Sequence, residues 1–213
     1  MSKTVAVLGL GRFGRKCAET LYEMGADIIV ADHSETAVES LSDKAAYAMV
    51  ADLTVAESIY KLGLEGVDVM VVAMGSNLTA SIMSVMVGKE LGVPHVIAKA
   101  GNARMGDILK RVGADEVIHP EEESGRRMAR TIMSESILDL FDLGKDLQIV
   151  EMAPKPEWVG KSISELRLRD TYGVSVVALK DPEGRYSMVD TRTPIKEDCM
   201  MLLIAERDDP ALG

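Results

Sequence analysis

The chain has 213 residues, 47% of them hydrophobic and 4% aromatic, with a formal net charge of −10. This acidity excludes a sequence-independent nucleic-acid binder, which needs a basic face. No apolar run approaches the roughly 20 residues of a membrane span, and the start lacks the basic-then-apolar pattern of a signal peptide, so direct membrane insertion is not expected.

The chain opens with a short strand pattern followed by closely spaced glycines. Residues 5–8 are too few and too apolar for an amphipathic helix, which predicts a strand buried on both faces of a parallel sheet. Gly9 allows a tight turn, Gly11 a close backbone approach to a phosphate, and Gly14 close packing of the next helix on the sheet. A helix is predicted over 12–24, and its first amide groups would point at an anion.

An acidic residue ends the second predicted strand. The apolar run 28–31 leads into Asp32, 18 positions after Gly14. This is near the roughly 20 positions expected of an acid that accepts hydrogen bonds from an adenosine ribose. Its charge would repel a 2′-phosphate and so disfavour NADP. The pattern predicts a mononucleotide or dinucleotide site; the alternative is a chance turn followed by a surface aspartate.

Arg12 lies inside the glycine turn. A guanidinium there can reach a terminal phosphate, which suits ATP or ADP as well as the pyrophosphate of NAD or NADH. The alternative is a solvated residue at a helix start, although a cation is poorly placed there against the helix dipole.

Strand and helix patterns alternate as far as residue 118. Ser34, Asn77 and Asn102 are predicted to cap helices, and Thr54 with Glu57 is predicted to form a capping box. The alternation predicts an α/β fold, a Rossmann-like doubly wound parallel sheet. Further strands are predicted at 45–51, 67–73, 95–98 and 116–118.

Polar or flexible residues follow three of these strands. Asp52, Gly75 with Asn77, and Lys99 would all lie at the carboxyl edge of the sheet, where open α/β folds bind ligands. Asp52 would then lie near an adenine; the alternative is a polar residue that merely ends a strand.

A long crossover helix is predicted from Pro120 to about Phe141. Glutamates at 121–123 stabilise the helix dipole; alternatively one of them, Glu121, helps to hold Mg²⁺ or another divalent cation against a nucleotide phosphate. Composition changes near Gly144. The predicted organisation is therefore a nucleotide-binding domain at 1–120, crossover and linker helices at 121–144 and a small α+β domain at 145–213.

The small domain combines short strands with one capped helix. Ser162 and Glu165 have capping-box spacing for a helix through about Arg169, and Trp158 is the expected core anchor. The two cysteines of the chain, at 17 and 199, make neither a disulfide framework nor a metal cluster, which predicts a reducing cytoplasm. Strands are predicted at 147–152, 174–179, 185–189 and 200–206.

Several segments resemble one known family. Val-Leu-Gly-Leu-Gly-Arg-Phe-Gly at 7–14, Val-Val-Ala-Met-Gly-Ser-Asn at 71–77 and Gly-Ala-Asp-Glu-Val-Ile-His-Pro-Glu at 113–121 are similar to the cytosolic regulatory subunits of Ktr and Trk potassium uptake systems. These proteins are built from N-terminal and C-terminal RCK domains (regulator of potassium conductance). The resemblance spans nearly the whole chain.

The resemblance implies a site for ATP/ADP or NAD(H). Asp32 would bind the ribose, Asp52 would lie near the adenine, Arg12 would meet the terminal phosphate, and Glu121 would approach nucleotide and cation across a dimer interface. The full set of implied cofactor-binding residues is Gly9, Gly11, Arg12, Phe13, Gly14, Asp32, Asp52, Leu53, Ala73, Gly75, Asn77, Lys99 and Glu121.

The resemblance also implies an assembly and a place in the cell. Homodimers would stack into an octameric ring beneath a membrane-embedded potassium channel, so the protein would be cytoplasmic and peripheral at the inner face of the cell membrane. In some members the C-terminal domain binds cyclic di-AMP at its dimer interface. The corresponding segment here is 166–173, with Arg167 where an asparagine is usual.

The leading hypothesis is thus a nucleotide-sensing gating subunit without catalysis. One alternative is a small NAD-dependent oxidoreductase, but His33, His95 and His119 have no recognisable catalytic spacing. A second is a redox-sensing repressor, for which the chain offers neither a helix-turn-helix segment nor a basic face.

Overall fold

The computed structural model describes residues 2–133, 137–144 and 146–206. The chain divides into two compact units, Met1–Glu121 and Glu122–Gly213. None of the described helices is long and apolar enough to cross a membrane.

The first unit alternates strands and helices, as predicted. Its six strands are all parallel, in the order β3-β2-β1-β4-β5-β6, which confirms the doubly wound Rossmann-like sheet. The elements are β1 Thr4–Leu8, α1 Arg12–Glu23, β2 Asp27–Asp32, α2 Glu35–Glu39, β3 Tyr47–Val50, α3 Ala56–Tyr60, β4 Val69–Val72, α4 Leu78–Glu90, β5 His95–Lys99, α5 Ala103–Arg111 and β6 Glu116–Ile118, with α6 Pro120–Met133 beginning at the end of this unit.

Both faces of this sheet are buried, as a parallel sheet requires. Successive residues of a strand enter opposite clusters: Leu8 and Met70 belong to one apolar cluster, and Val7 and Val71 to the other. This period of two follows from strand geometry. Because β1 and β4 are neighbours while the chain proceeds from β1 to β2, the loops after β1 and β4 diverge to opposite faces and leave a crevice between them.

Three of the four predicted helix caps of this unit are confirmed. The side chains of Ser34, Asn77 and Asn102 accept hydrogen bonds from the third residue of the helix that each precedes. The capping box of Thr54 and Glu57 is wrong, because α3 begins one residue later with Val55 at its N-cap and no side-chain cap.

The second unit contains a five-stranded antiparallel sheet in the order β10-β9-β11-β8-β7. Trp158 is 1% exposed in its core and lies 5.6 Å from Tyr172 between ring centroids, so the predicted core anchor is confirmed. The elements are β7 Ile137–Leu143, β8 Leu147–Met152, a 3-10 turn at Pro156–Trp158, α7 Ile163–Leu166, α8 Leu168–Tyr172, β9 Ser175–Lys180, β10 Tyr186–Met188 and β11 Met200–Glu206.

The predicted extension of the crossover helix to Phe141 is wrong. Helix α6 ends at Met133, and Phe141 lies in β7, paired with Ile149 of β8. Gly144, with a φ of 73°, allows the turn that joins the two strands. Pairing with β8 therefore decides the conformation of this segment, as tertiary context often overrides helix propensity. Residues 134–136 lie outside the described part of the chain.

The predicted helix through Arg169 is divided at Arg167. The capping box of Ser162 and Glu165 is present, but Arg167 has a φ of 48° and ends α7 in the left-handed conformation. Its guanidinium donates to Asp170 Oδ2 at 2.8 Å. A non-glycine residue in this region costs about 1–2 kcal/mol.

This strain gives a stability prediction. We expect Arg167→Gly to unfold at higher urea concentration than Arg167→Ala, by about 1 kcal/mol in free energy, because both variants lose the ion pair and only glycine removes the strain. The fluorescence of Trp158, the single tryptophan, reports the transition of this unit. At the exposed helical position Arg169 the order should reverse, with alanine the more stable. Equal stability of the two Arg167 variants would contradict the prediction.

Candidate functional site

A cavity of about 790 Å³ opens at the carboxyl edge of the parallel sheet, at the crevice between β1 and β4. Its volume lies within the roughly 300–1,000 Å³ of small-molecule and cofactor sites. The cavity is lined by Gly9, Gly11, Arg12, Phe13, Asp32, His33, Ala51, Asp52, Leu53, Thr54, Ala73, Met74, Gly75, Ser76, Asn77, Ala80, Lys99, Gly101 and Glu121.

The three positions of the first turn are occupied by glycine for different structural reasons. Gly9 has a φ of 91°, and a Cβ there would lie 2.5 Å from Met74 Cγ. A Cβ on Gly14 would lie 1.9 Å from the carbonyl oxygen of Gly9, so Gly14 permits the contact between α1 and the turn and does not line the cavity. A Cβ on Gly11 would meet nothing within 4 Å. No protein contact therefore requires glycine at this position, which faces the cavity.

Helix α1 begins at the cavity without a cap. Its N-cap is Gly11, which offers no side-chain acceptor, and its first turn contains no acidic residue. By contrast, α2, α4 and α5 each have a serine or asparagine cap. The first amide groups of a helix need acceptors and carry the positive end of the helix dipole. The start of α1 thus has the donors and the electrostatic field of a phosphate site.

Asp32 is held against the glycine turn by hydrogen bonds. It is 7% exposed, and its Oδ2 accepts a hydrogen bond from the backbone amide of Leu10 at 2.6 Å. Its Oδ1 accepts from the amide of Ser34 at 2.8 Å, and His33 Nδ1 lies 2.9 Å from the same oxygen. The carboxylate therefore ties the glycine turn to the end of β2 while still lining the cavity.

Asp52 and Thr54 form a turn at the rim. Thr54 donates to Asp52 Oδ1 from its hydroxyl at 2.6 Å and from its amide at 2.9 Å. These hydrogen bonds, chiefly that of the hydroxyl, lower the pKa of Asp52. Because the Thr54 hydroxyl is used in this way, it does not cap α3. The neighbouring Leu53 is buried and supplies an apolar wall.

Two positively charged side chains, those of Lys99 and Arg12, line the cavity. Lys99 Nζ lies 2.5 Å from Glu121 Oε1 and 5.6 Å from the ring centroid of Phe13, and the Lys99 side chain is only 13% exposed. The hydrogen bond from Lys99 is the main reason that the pKa of Glu121 is lowered. Arg12 is exposed, and within the described residues it has no ion-pair partner.

The structure thus brings twelve of the thirteen expected site residues, all of them described, to one cavity; Gly14 is the exception. Sequence reasoning missed seven lining residues. Gly101 could have been predicted from the sequence, because it is a glycine just after the end of a strand. A Cβ there would lie 2.4 Å from the Gly75 carbonyl oxygen. His33 adjoins Asp32 in sequence. The other missed residues are Ala51, Thr54, Met74, Ser76 and Ala80.

The expected divalent cation has few protein ligands here. Among the described residues, no cluster of three or more His, Cys, Asp or Glu side chains could hold a metal ion. Glu121 offers one carboxylate, which already pairs with Lys99. The side chains of the described residues therefore do not form a cation site of three or more such ligands by themselves.

The chain matches known domain families over most of its length. Residues 5–120 match the TrkA-N domain and residues 147–211 match the TrkA-C domain. The structure of the GsuK channel bound to NAD is similar in fold, with a TM-score of 0.68 and 18% sequence identity. That likeness covers 100% of this chain and 39% of the GsuK chain.

Two curated relatives are similar along nearly their whole length. Ktr system potassium uptake protein C of Bacillus subtilis (strain 168) is 33% identical over 204 residues, which cover 95% of this chain and 92% of that protein. Ktr system potassium uptake protein A of the same strain is 31% identical over 209 residues, covering 97% and 94%. The chain therefore belongs to the TrkA/Ktr family of potassium uptake proteins, with a TrkA-N domain followed by a TrkA-C domain.

Proposed function

We propose that this protein is a nucleotide-sensing gating subunit of a potassium uptake system and that it binds ATP/ADP or NAD(H) without performing chemistry on it. The names of its relatives support a role in potassium uptake. The observation that carries the nucleotide part is the uncapped start of α1, which faces a cavity that Asp32, Arg12 and Lys99 also line.

The charges of the cavity fit the parts of an adenine nucleotide. The α1 amide groups and Arg12 offer donors to phosphate, and Asp32 offers an acceptor to ribose hydroxyls. Leu53 and Ala73 add apolar surface for the rest of the nucleotide. An NADP 2′-phosphate would meet the Asp32 carboxylate and is disfavoured.

Gating follows if two nucleotides make different contacts with this site. A ligand shifts a conformational equilibrium only by its difference in affinity for the two states. A coupling free energy of about 1–3 kcal/mol changes a population several-fold to about a hundredfold. In the proposed assembly, homodimers form an octameric ring on a membrane-embedded potassium channel, at the cytoplasmic face of the membrane, and the ring transmits the shift.

The proposal includes two further ligands, a divalent cation and cyclic di-AMP. Mg²⁺ at Glu121 would need phosphate oxygens as additional ligands, because the side chains of the described residues do not form a metal cluster by themselves. Cyclic di-AMP in the C-terminal domain remains a prediction from the resemblance; the segment concerned contains Arg167, paired with Asp170.

Arg12 provides the first test. We expect Arg12→Gln to weaken binding of ATP and ADP about tenfold or more in titration calorimetry, because a charge-assisted hydrogen bond to phosphate is lost. Arg15→Gln is the matched control: Arg15 is exposed on the same helix, one turn along, and does not line the cavity. Titrations with NAD and NADH identify the preferred class. If wild-type protein bound none of the four ligands, the proposed function would be wrong.

A further inference from the structure

A largely buried lysine and an exposed glutamate form an ion pair beside the start of α1. Lys99 Nζ donates a hydrogen bond to Glu121 Oε1 at 2.5 Å, and both residues line the cavity. The Lys99 side chain is 13% exposed, whereas that of Glu121 is 67% exposed. Lys99 Nζ also lies 5.6 Å from the ring centroid of Phe13, the second residue of α1. The pair therefore lies next to the helix start at which the proposed site would hold phosphate.

Packing sets the position of Lys99, and Lys99 in turn keeps Glu121 ionised. A Cβ on Gly75 would lie 3.2 Å from Lys99 Cε and 3.5 Å from both Cδ and Nζ, so glycine at this position leaves room for the lysine stem. The hydrogen bond from Lys99 is the main reason that the pKa of Glu121 is lowered, so the carboxylate is charged at neutral pH. The cavity thus has a fixed positive charge that a neighbouring carboxylate opposes at close range.

This pairing changes the attraction that a phosphate group meets. Lys99 and Glu121 together carry no net charge, whereas Arg12 has no ion-pair partner within the described residues. Charges a few ångströms apart in a partly buried site interact strongly, because little water screens them. Each phosphoryl group added to a nucleotide makes it more negative, so repulsion by the Glu121 carboxylate should grow from AMP to ADP to ATP.

We infer that Glu121 is a specificity-determining residue of the cavity: by neutralising Lys99, it limits the preference of the site for nucleotides with more phosphate groups. This inference rests on the proposed nucleotide function. Without the Glu121 charge, Lys99 would attract terminal phosphates with its full charge, and ATP would be favoured most. With that charge, ligands that differ by one phosphate bind with more similar affinities, and a site that responds to their ratio must bind both.

The test compares AMP, ADP and ATP by titration calorimetry in EDTA, so that no divalent cation bridges Glu121 and phosphate. Glu121→Gln keeps the size of the side chain and removes its charge. We expect this variant to bind ATP about tenfold and ADP about threefold more tightly than wild type, with the smallest gain for AMP. The ratio of the ADP to the ATP dissociation constant should therefore rise about threefold.

Two further variants separate the charge of Glu121 from other effects. Glu122→Gln removes an exposed acid from the same helical turn, and because Glu122 does not line the cavity, the ratio should stay at the wild-type value. Adding Lys99→Gln to Glu121→Gln should cancel most of the gain for ATP, because the positive charge that Glu121 neutralises is then absent.

The outcomes distinguish this inference from the function on which it rests. An unchanged ratio in Glu121→Gln, weaker ATP binding by that variant, or a gain that persists after Lys99→Gln would overturn the role of Glu121 while nucleotide binding stood. Wild-type protein that bound NAD but neither ADP nor ATP would likewise overturn this inference alone. Wild-type protein that bound none of these ligands would overturn the proposed function itself.

Discussion

Gly14→Ala is expected to lower the free energy of unfolding by about 3 kcal/mol or more and to abolish nucleotide binding. The new Cβ would lie 1.9 Å from the carbonyl oxygen of Gly9 and 3.0 Å from Ala73 Cβ. The Gly9 backbone cannot retreat easily, because its amide donates to the Ala31 carbonyl at 2.8 Å. Helix α1 must then move away from the sheet, and its amide groups leave the cavity with it.

Gly11→Ala supplies the matched comparison for the same glycine turn. A Cβ at Gly11 meets no protein atom within 4 Å, and the residue has ordinary extended angles, with φ −63° and ψ −174°. We expect a loss of stability of no more than about 1 kcal/mol, the scale of a change at a helix N-cap. Urea denaturation measures this difference and calorimetry measures ADP binding. Equal stability of the two alanine variants would contradict the packing role of Gly14.

The residues of the candidate site could be predicted from the sequence wherever short-range spacing or a strand end determines their position. The spacing of Gly9, Gly11 and Gly14, and the position of Asp32 at the end of the next strand, define a turn and an edge that lie close together in any parallel βαβ unit. Lys99 could be placed in the same way, because the carboxyl ends of parallel strands meet at one edge. Gly9, Gly11, Asp32 and Lys99 do line one cavity, and Gly14 packs behind the turn.

Other features depend on contacts with residues that are distant in the sequence, or on which of two possible hydrogen-bond partners a side chain takes. Phe141 lies in a strand because β8 is there to pair with it. Thr54 and Glu57 fitted a capping pattern, but the Thr54 hydroxyl donates to Asp52, which follows the end of β3. The need for glycine at 101 arises from the Gly75 carbonyl, 26 positions earlier in the chain. Local pattern shows which groups are present, and tertiary contacts decide which partner each one takes.

Asp32→Ala should weaken ADP binding about a hundredfold, because two hydrogen bonds from ribose to a charged acceptor are worth at least roughly that much. The same change leaves the amides of Leu10 and Ser34 without their acceptor. An unpaired buried donor costs about 1–3 kcal/mol, so the variant should also unfold at lower urea concentration. Its affinity must therefore be measured under conditions where denaturation curves show the protein to be folded.

Asp27→Ala separates loss of the ribose acceptor from a general loss of acidic charge. Asp27 begins the same strand that Asp32 ends, is exposed, and lies at the amino edge of the sheet, away from the cavity. Its carboxylate accepts a hydrogen bond from the Ser2 hydroxyl at 2.8 Å, an exposed contact. The control should bind ADP as wild type does. If Asp32→Ala, shown to be folded, also bound ADP with wild-type affinity, the ribose could not be held by Asp32.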